Sequence, residues 1–240
     1  MNSPFSRTQV IACWGVHLYT ALGLPLNLIS LWALSQKDAH LFFTLNLAAV
    51  AVDATDGMMA RKLRIKEVLP QFDGSKLDDL IDYLTFTFLP VASLAYLELI
   101  PLMWWPLLGV ILIASAYGFC QTSAKTEDAF VGFPSYWNLV ALYIFLLDPP
   151  MWLTLSTLSI CAFLTFIPIH FVYPTRTQML FKTTMIGGAV YGCTLIYCAL
   201  APEGELRYQL SFASLIYVLY YFVISAFHHR RVHQTARSAS

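Results

Sequence analysis

The chain has 240 residues, of which 58% are hydrophobic, 15% aromatic and only 12% charged, about half the charged share of an ordinary soluble domain. Fourteen Lys and Arg balance fourteen Asp and Glu, so no basic face is available to clamp nucleic acid. Too little of the chain is polar for a disordered protein, and the composition fits a polytopic membrane protein.

In chain order, the first stretch free of Asp, Glu, Lys and Arg is 8–36. Ala33-Leu34-Ser35 resembles a cleavage site, but the apolar run is far longer than a signal-peptide core of about 7–15 residues. The stretch therefore reads as an uncleaved first helix. Two apolar segments interrupted by acids follow, near 38–60 and 77–98, joined by the basic loop Arg61–Lys76. Then come five more charge-free stretches, 99–124, 129–147, 149–175, 183–202 and 208–229. Each is long enough for the roughly 20 helical residues that cross a bilayer core. Pro101, Asp148-Pro149-Pro150, Pro174 and Pro202 fall at the turns between segments. The pattern predicts an all-α, polytopic integral membrane protein with about eight transmembrane helices, and a single membrane domain over 1–240.

Charge placement supports an even number of crossings. With both termini in the cytoplasm, the inner side holds Arg7, Arg61, Lys62, Arg64, Lys66, Lys76, Lys125, Arg176, Lys182, Arg230, Arg231 and Arg237, and the outer side only Lys37 and Arg207. The five cysteines, Cys13, Cys120, Cys161, Cys193 and Cys198, form no CxxC. Neither a disulfide framework nor a zinc site is indicated, and they read as small packing residues. His17 and His170 read as hydrogen-bonded packing residues. His228, His229 and His233 belong to a basic tail with no assigned chemistry.

Asp within a membrane helix costs roughly 2.5–3.5 kcal/mol on insertion scales, so clustered acids need an explanation. Asp53 and Asp56 lie three apart near the inner end of the second helix, on one face. Asp78 and Asp82 lie four apart near the inner start of the third, again on one face. Asp79 points about 100° away from Asp78 and reads as a solvated or helix-start acid. Two such faces turned together place four carboxylates around one small volume, where they cannot all stay ionised without a counter-charge. Oxygen-only ligands favour a hard divalent cation, Mn²⁺ or Mg²⁺. Gly57 and Ala60 are small residues on or near the acidic face, and Arg61 offers a fork suited to phosphate. Taken singly, Gly57 and Ala60 are better explained by close helix packing and Arg61 by topological anchoring.

Read together, the residues spell Asp53-x2-Asp56-Gly57-x2-Ala60-Arg61-x12-Gly74-x3-Asp78-x3-Asp82. This closely resembles the signature of the CDP-alcohol phosphotransferase family, in which an alcohol displaces CMP from a CDP-linked substrate. The spacer of twelve residues before Gly74 is longer than the usual one and resembles a bacterial branch of the family with eight helices. Other segments resemble that branch too: Ala60-Arg61-Lys62-Leu63, Lys66-Glu67-Val68-Leu69-Pro70, Gly132-Phe133-Pro134, Trp137-Asn138, and Phe163-Leu164-Thr165-Phe166 with Pro168. The resemblance implies that Asp53, Asp56 and Asp78 hold the divalent metal, that Asp82 is the general base, and that Gly57, Ala60, Arg61 and Gly74 shape the CDP pocket. It implies CDP-diacylglycerol as donor and choline as acceptor, giving phosphatidylcholine and CMP in the bacterial inner membrane, with the site facing the cytoplasm. Homodimerisation is a further expectation from the family.

The implied chemistry suits these residues. A divalent ion neutralises the pyrophosphate, and a carboxylate takes the proton of the choline hydroxyl. A quaternary ammonium cannot donate an N–H bond and is met by aromatic faces. By depth, Tyr83, Tyr117, Tyr136 and Trp137 are the aromatic candidates, and Glu127 and Asp128 could attract the cation electrostatically. Packing, the interfacial belt and loop solvation are the ordinary roles of the same residues. Lys125, Arg176 and Lys182 could meet lipid phosphate or serve only as inner-face anchors. Other readings stay open: serine, inositol or glycerol phosphate as acceptor, CDP-choline as donor to diacylglycerol, or a divalent-cation transporter. Acids clustered at one membrane face speak against a transporter.

Overall fold

A computed structural model describes residues 5–126 and 128–238. The chain forms two compact units, Met1–Leu89 and Pro90–Ser240, and it is helical apart from one short ribbon.

In the first unit, α1 (Arg7–Ala21) starts on a capping box. The Ser6 hydroxyl accepts from the Gln9 N–H at 3.2 Å, and the Gln9 side chain accepts from the Ser6 N–H at 2.9 Å. The chain re-enters helix at α2 (Gly23–Ser35) after Leu22, and Pro25 lies in its first turn. The two together make one apolar run. Asp38 caps α3 (Ala39–Lys62) by accepting from the Leu41 N–H at 2.9 Å. The basic loop contains a single helical turn, α4 (Ile65–Val68), entered through a left-handed Arg64. Its buried Ile65 and Val68, with Leu69, pack on Cys13 and Val16 of α1. Asp73 then caps α5 (Gly74–Asp82) through the Lys76 N–H at 3.1 Å. A π-helical turn, Tyr83–Phe88, follows directly. Helices α1 and α2 pack on α3, α1 also meets α4 and α5, and the π-helical turn contacts α2 and α3.

The second unit begins with α6 (Leu89–Tyr96) and a 3₁₀ turn, Leu102–Trp104, leading into α7 (Trp105–Cys120). Next come β1 (Ala129–Val131), α8 (Trp137–Leu147), α9 (Met151–Leu164), β2 (His170–Val172), α10 (Phe181–Leu200) and α11 (Glu205–Ser238). Strands β1 and β2 pair antiparallel, with Phe130 opposite Phe171, and β2 lies on α11, which also packs against α8 and α10. Gly132 ends the ribbon at φ +86°, where an added Cβ would sit 2.6 Å from the Thr165 carbonyl oxygen.

Five helical runs among the described residues are long and apolar enough to cross a membrane: Arg7–Ser35, Ala39–Lys62, Leu102–Cys120, Phe181–Leu200 and Glu205–Val232. The chain is thus a predominantly helical, multi-pass membrane protein of the all-α class. Three of the eight expected segments differ from a plain spanning helix. The stretch near 77–98 is divided by the π-helical turn. Stretches 129–147 and 149–175 yield only the shorter helices Trp137–Leu147 and Met151–Leu164. Their remaining apolar residues form the ribbon and its turns, because Gly132, Pro134, Pro168 and Pro174 interrupt the helix. The basic tail is helical as far as Ser238. Arg207, expected in an outer loop, is buried in the first turn of α11 with its guanidinium 4.9 Å from the Phe145 ring centre.

Candidate active site

On α3 the residues Asn46, Ala49, Asp53 and Asp56 recur at helical spacing and share one face. The α5 face carrying Asp78, Ile81 and Asp82 meets it, and Thr20 and Gly23 close the cleft together with Val52. Carboxylate oxygens of Asp53, Asp78 and Asp82 lie within 4.8 Å of one another. Asp56 lines the same cleft and is the most enclosed of the four, only 5% exposed. The enclosed space is about 10 Å³, which matches a single water or bare ion. The sequence pattern therefore does bring Asp53, Asp56, Asp78 and Asp82 to one place. The tightest trio contains Asp82 in place of Asp56.

Small residues make this approach possible. An added Cβ on Gly23 would overlap the Cγ2 methyl of Ile81, so α2 and α5 meet across a bare backbone. Gly74 is used in the same way, since a methyl there would overlap Cε1 of His17. His17 is buried against Trp14 and Phe72, its ring centre 4.5 Å from that of Phe72. Its Nε2 is buried without a hydrogen-bond partner among the described residues, contrary to the satisfied packing role expected from sequence. On Gly57, a Cβ would come 3.2 Å from Nη1 of Arg61, whose guanidinium folds back along the helix. Ala60 packs on the cluster of Cys13, Val16, Ile65, Val68 and Leu69.

The aromatic and basic candidates are spread more widely. Tyr83 directly follows Asp82 and opens the π-helical turn in the first unit. The others belong to the second unit. Trp137 is buried, donates to the Ser115 hydroxyl at 2.7 Å and is met edge-on by Phe133. Tyr117 is exposed beside Phe166. Tyr136 joins a ring cluster with Phe130 and Tyr221 that the sequence did not signal. Tyr173 stacks on Phe130 and carries the Arg176 guanidinium 4.5 Å above its ring. Asp128 places Oδ2 3.6 Å from Nε2 of His228, Lys125 pairs through its backbone with Phe130, and Glu127 lies outside the described residues.

A family model for CDP-alcohol phosphatidyltransferases matches residues 17–171, which include every residue of the acidic cleft. The chain belongs to the CDP-alcohol phosphatidyltransferase family. It is 36% identical over 215 residues to a phosphatidylcholine synthase of Borreliella burgdorferi, covering 89% of this chain and 91% of that one. Likeness to the phosphatidylcholine synthase of Legionella pneumophila is 34% over 233 residues, covering 94% and 91% of the two chains. With that of Pseudomonas aeruginosa it is 43% over 181 residues, covering 74% and 76%.

Within this family the cleft is suited to a divalent cation. At metal–oxygen distances of about 2.1 Å, ligand oxygens stand about 3 Å apart when adjacent and about 4.2 Å when opposite. Oxygens that all lie within 4.8 Å of one another can converge on one such ion by side-chain rotation. All donors are carboxylates, as a hard cation requires.

Proposed function

We propose that the chain is a phosphatidylcholine synthase, transferring the phosphatidyl group from CDP-diacylglycerol to choline with release of CMP. The observation carrying this reading is the meeting of Asp53, Asp78 and Asp82 in one cleft, inside the segment that matches the family. In this reading the whole chain, 1–240, is the functional domain. It crosses the bacterial inner membrane eight times, with both termini and the cleft toward the cytoplasm, where most of the basic residues fall.

Asp53, Asp56 and Asp78 hold the divalent cation, Mn²⁺ or Mg²⁺, which when bound offsets the negative charge of the donor pyrophosphate. Asp82 takes the proton of the choline hydroxyl as its oxygen attacks the phosphatidyl phosphorus. The bond from that phosphorus to the bridging oxygen breaks, and CMP leaves with the electron pair. Arg61 faces the phosphates with its planar fork, and Gly57 leaves the room along α3 in which that fork lies.

The test is CMP release from CDP-diacylglycerol by purified protein in detergent. Choline, serine, inositol and glycerol phosphate are offered in turn, with Mn²⁺, Mg²⁺ or chelator. Release that needs both choline and metal is the expected result. Release with a different alcohol overturns the choline assignment and keeps the acidic site. No release from folded, metal-loaded protein with any of the four overturns the reading as a whole.

A further inference from the structure

We propose that Asn46 is a positioning residue, whose hydrogen bond to the Thr85 carbonyl fixes the register of α3 against α5 and so holds Asp53 opposite Asp78 and Asp82. The inference rests on reading those carboxylates as the cation site.

Asn46 is 1% exposed, and its side-chain N–H donates to the Thr85 carbonyl at 2.7 Å. That carbonyl lacks a donor within its own helix. In the π-helical turn the Leu89 N–H reaches back five residues to Leu84. The next donor in that pattern would be residue 90, a proline without an N–H. In hydrocarbon an unsatisfied backbone carbonyl costs several kcal/mol, so the amide of Asn46 has a specific vacancy to fill. Asn27 grips the same residue from α2, donating to the Thr85 hydroxyl at 2.8 Å.

Position along the helices gives this bond its consequence. Asn46 precedes Asp53 by seven residues, close to two helical turns, and Thr85 follows Asp78 by seven. The hydrogen bond and the carboxylate contact therefore belong to one antiparallel register. Sliding α3 by one turn would strand both the Asn46 amide and the Thr85 carbonyl. Apolar contacts alone do not distinguish neighbouring registers so sharply, whereas a buried Asn does.

Two readouts on the full chain test the proposal. The first is register: a cysteine pair, Ala49→Cys with Ile81→Cys, in a background whose native cysteines are replaced by alanine, cross-linked by a short dithiol reagent. The second is Mn²⁺ affinity, followed by the spin-resonance signal of free Mn²⁺ and read beside CMP release and Tm. Asn46→Leu is expected to lower the cross-linking yield and weaken Mn²⁺ binding about tenfold. Thr85→Val, which keeps the backbone carbonyl, is expected to change Mn²⁺ affinity less than about twofold. Asn46→Ser, a milder variant with a hydroxyl donor, should fall between. If Asn46 variants lower Tm but leave cross-linking and Mn²⁺ affinity at wild-type values, Asn46 is packing and the proposal is overturned. If wild-type protein binds no Mn²⁺ while cross-linking still responds to Asn46→Leu, the cation reading fails and the register role stands.

Discussion

A carboxylate inside a membrane helix is costly unless a proton, a cation or water meets it, so the cleft of Asp53, Asp56, Asp78 and Asp82 concentrates the chemistry at the scale of single residues. Replacing Asp82 by Asn removes the proton acceptor while keeping shape, and CMP release should fall by about 10²–10⁴-fold, measured at saturating choline and metal. Gly74 belongs to the recognised motif, yet its side meets His17, and its immediate use is to let α5 approach α1. Gly74→Ala should destabilise the protein by about 1–3 kcal/mol, as overpacking does, seen as a lower Tm in detergent. Adding His17→Ala removes the clashing ring, and the double variant should recover part of that loss. Additive losses would show that the Gly74 backbone, not the His17 contact, sets the requirement.

At the scale of elements, capping chemistry decides where α1, α3 and α5 start. Asp38 and Asp73 sit outside the acidic cleft, and their side chains close the first turns of α3 and α5. They are structural acids, unlike the four that line the cleft. In the π-helical turn after Asp82, the Thr85 carbonyl receives no N–H from Pro90, and Asn46 donates to it instead. Helix α5 also needs Gly23 on α2 to approach closely. Gly23→Ala should lower Tm and weaken Mn²⁺ binding, because pushing Ile81 away also moves Asp78 and Asp82. Ile81→Ala in the same chain should restore metal affinity, while its own lost methyls keep Tm low. Unchanged Mn²⁺ affinity in Gly23→Ala would mean that the helices shift without moving the carboxylates.

For the molecule as a whole, the uneven distribution of Lys and Arg predicts an orientation. Reporter domains fused at either terminus should be active only in their cytoplasmic form, with the α4 loop protected from an outside label. A terminus on the opposite side would mean an odd number of crossings. That outcome would single out the short helices Trp137–Leu147 and Met151–Leu164 as segments that fail to cross separately. Their length is where sequence reading was weakest. Lack of charge measures the cost of leaving water, and the ribbon of β1 and β2 satisfies that condition without being a spanning helix.

The sequence by itself determined the membrane class, the family and the acidic set. The class and the acidic set follow from local quantities, namely composition, the absence of charge over a bilayer's length, and carboxylates at helical spacing on two adjacent segments. The family rests instead on the resemblance of the motif from Asp53 to Asp82 to a known signature. It also marked the breaks at Asp148-Pro149-Pro150 and Pro202, where the lost N–H acts wherever the chain goes. Tertiary structure alone decided which small residue serves which neighbour. Ala60 lies in a hydrophobic cluster, Gly74 lies against His17 and Gly57 against Arg61, although all three sit in one motif. It also decided that Trp137 is a core residue bonded to Ser115 and that Phe130, Tyr136, Tyr173 and Tyr221 gather around the ribbon. Asn46 gave no local signal, since a lone Asn in an apolar helix has no meaning until its partner is known. Its partner is a backbone carbonyl 39 residues away, freed by a proline, and only packing two helices together creates that need.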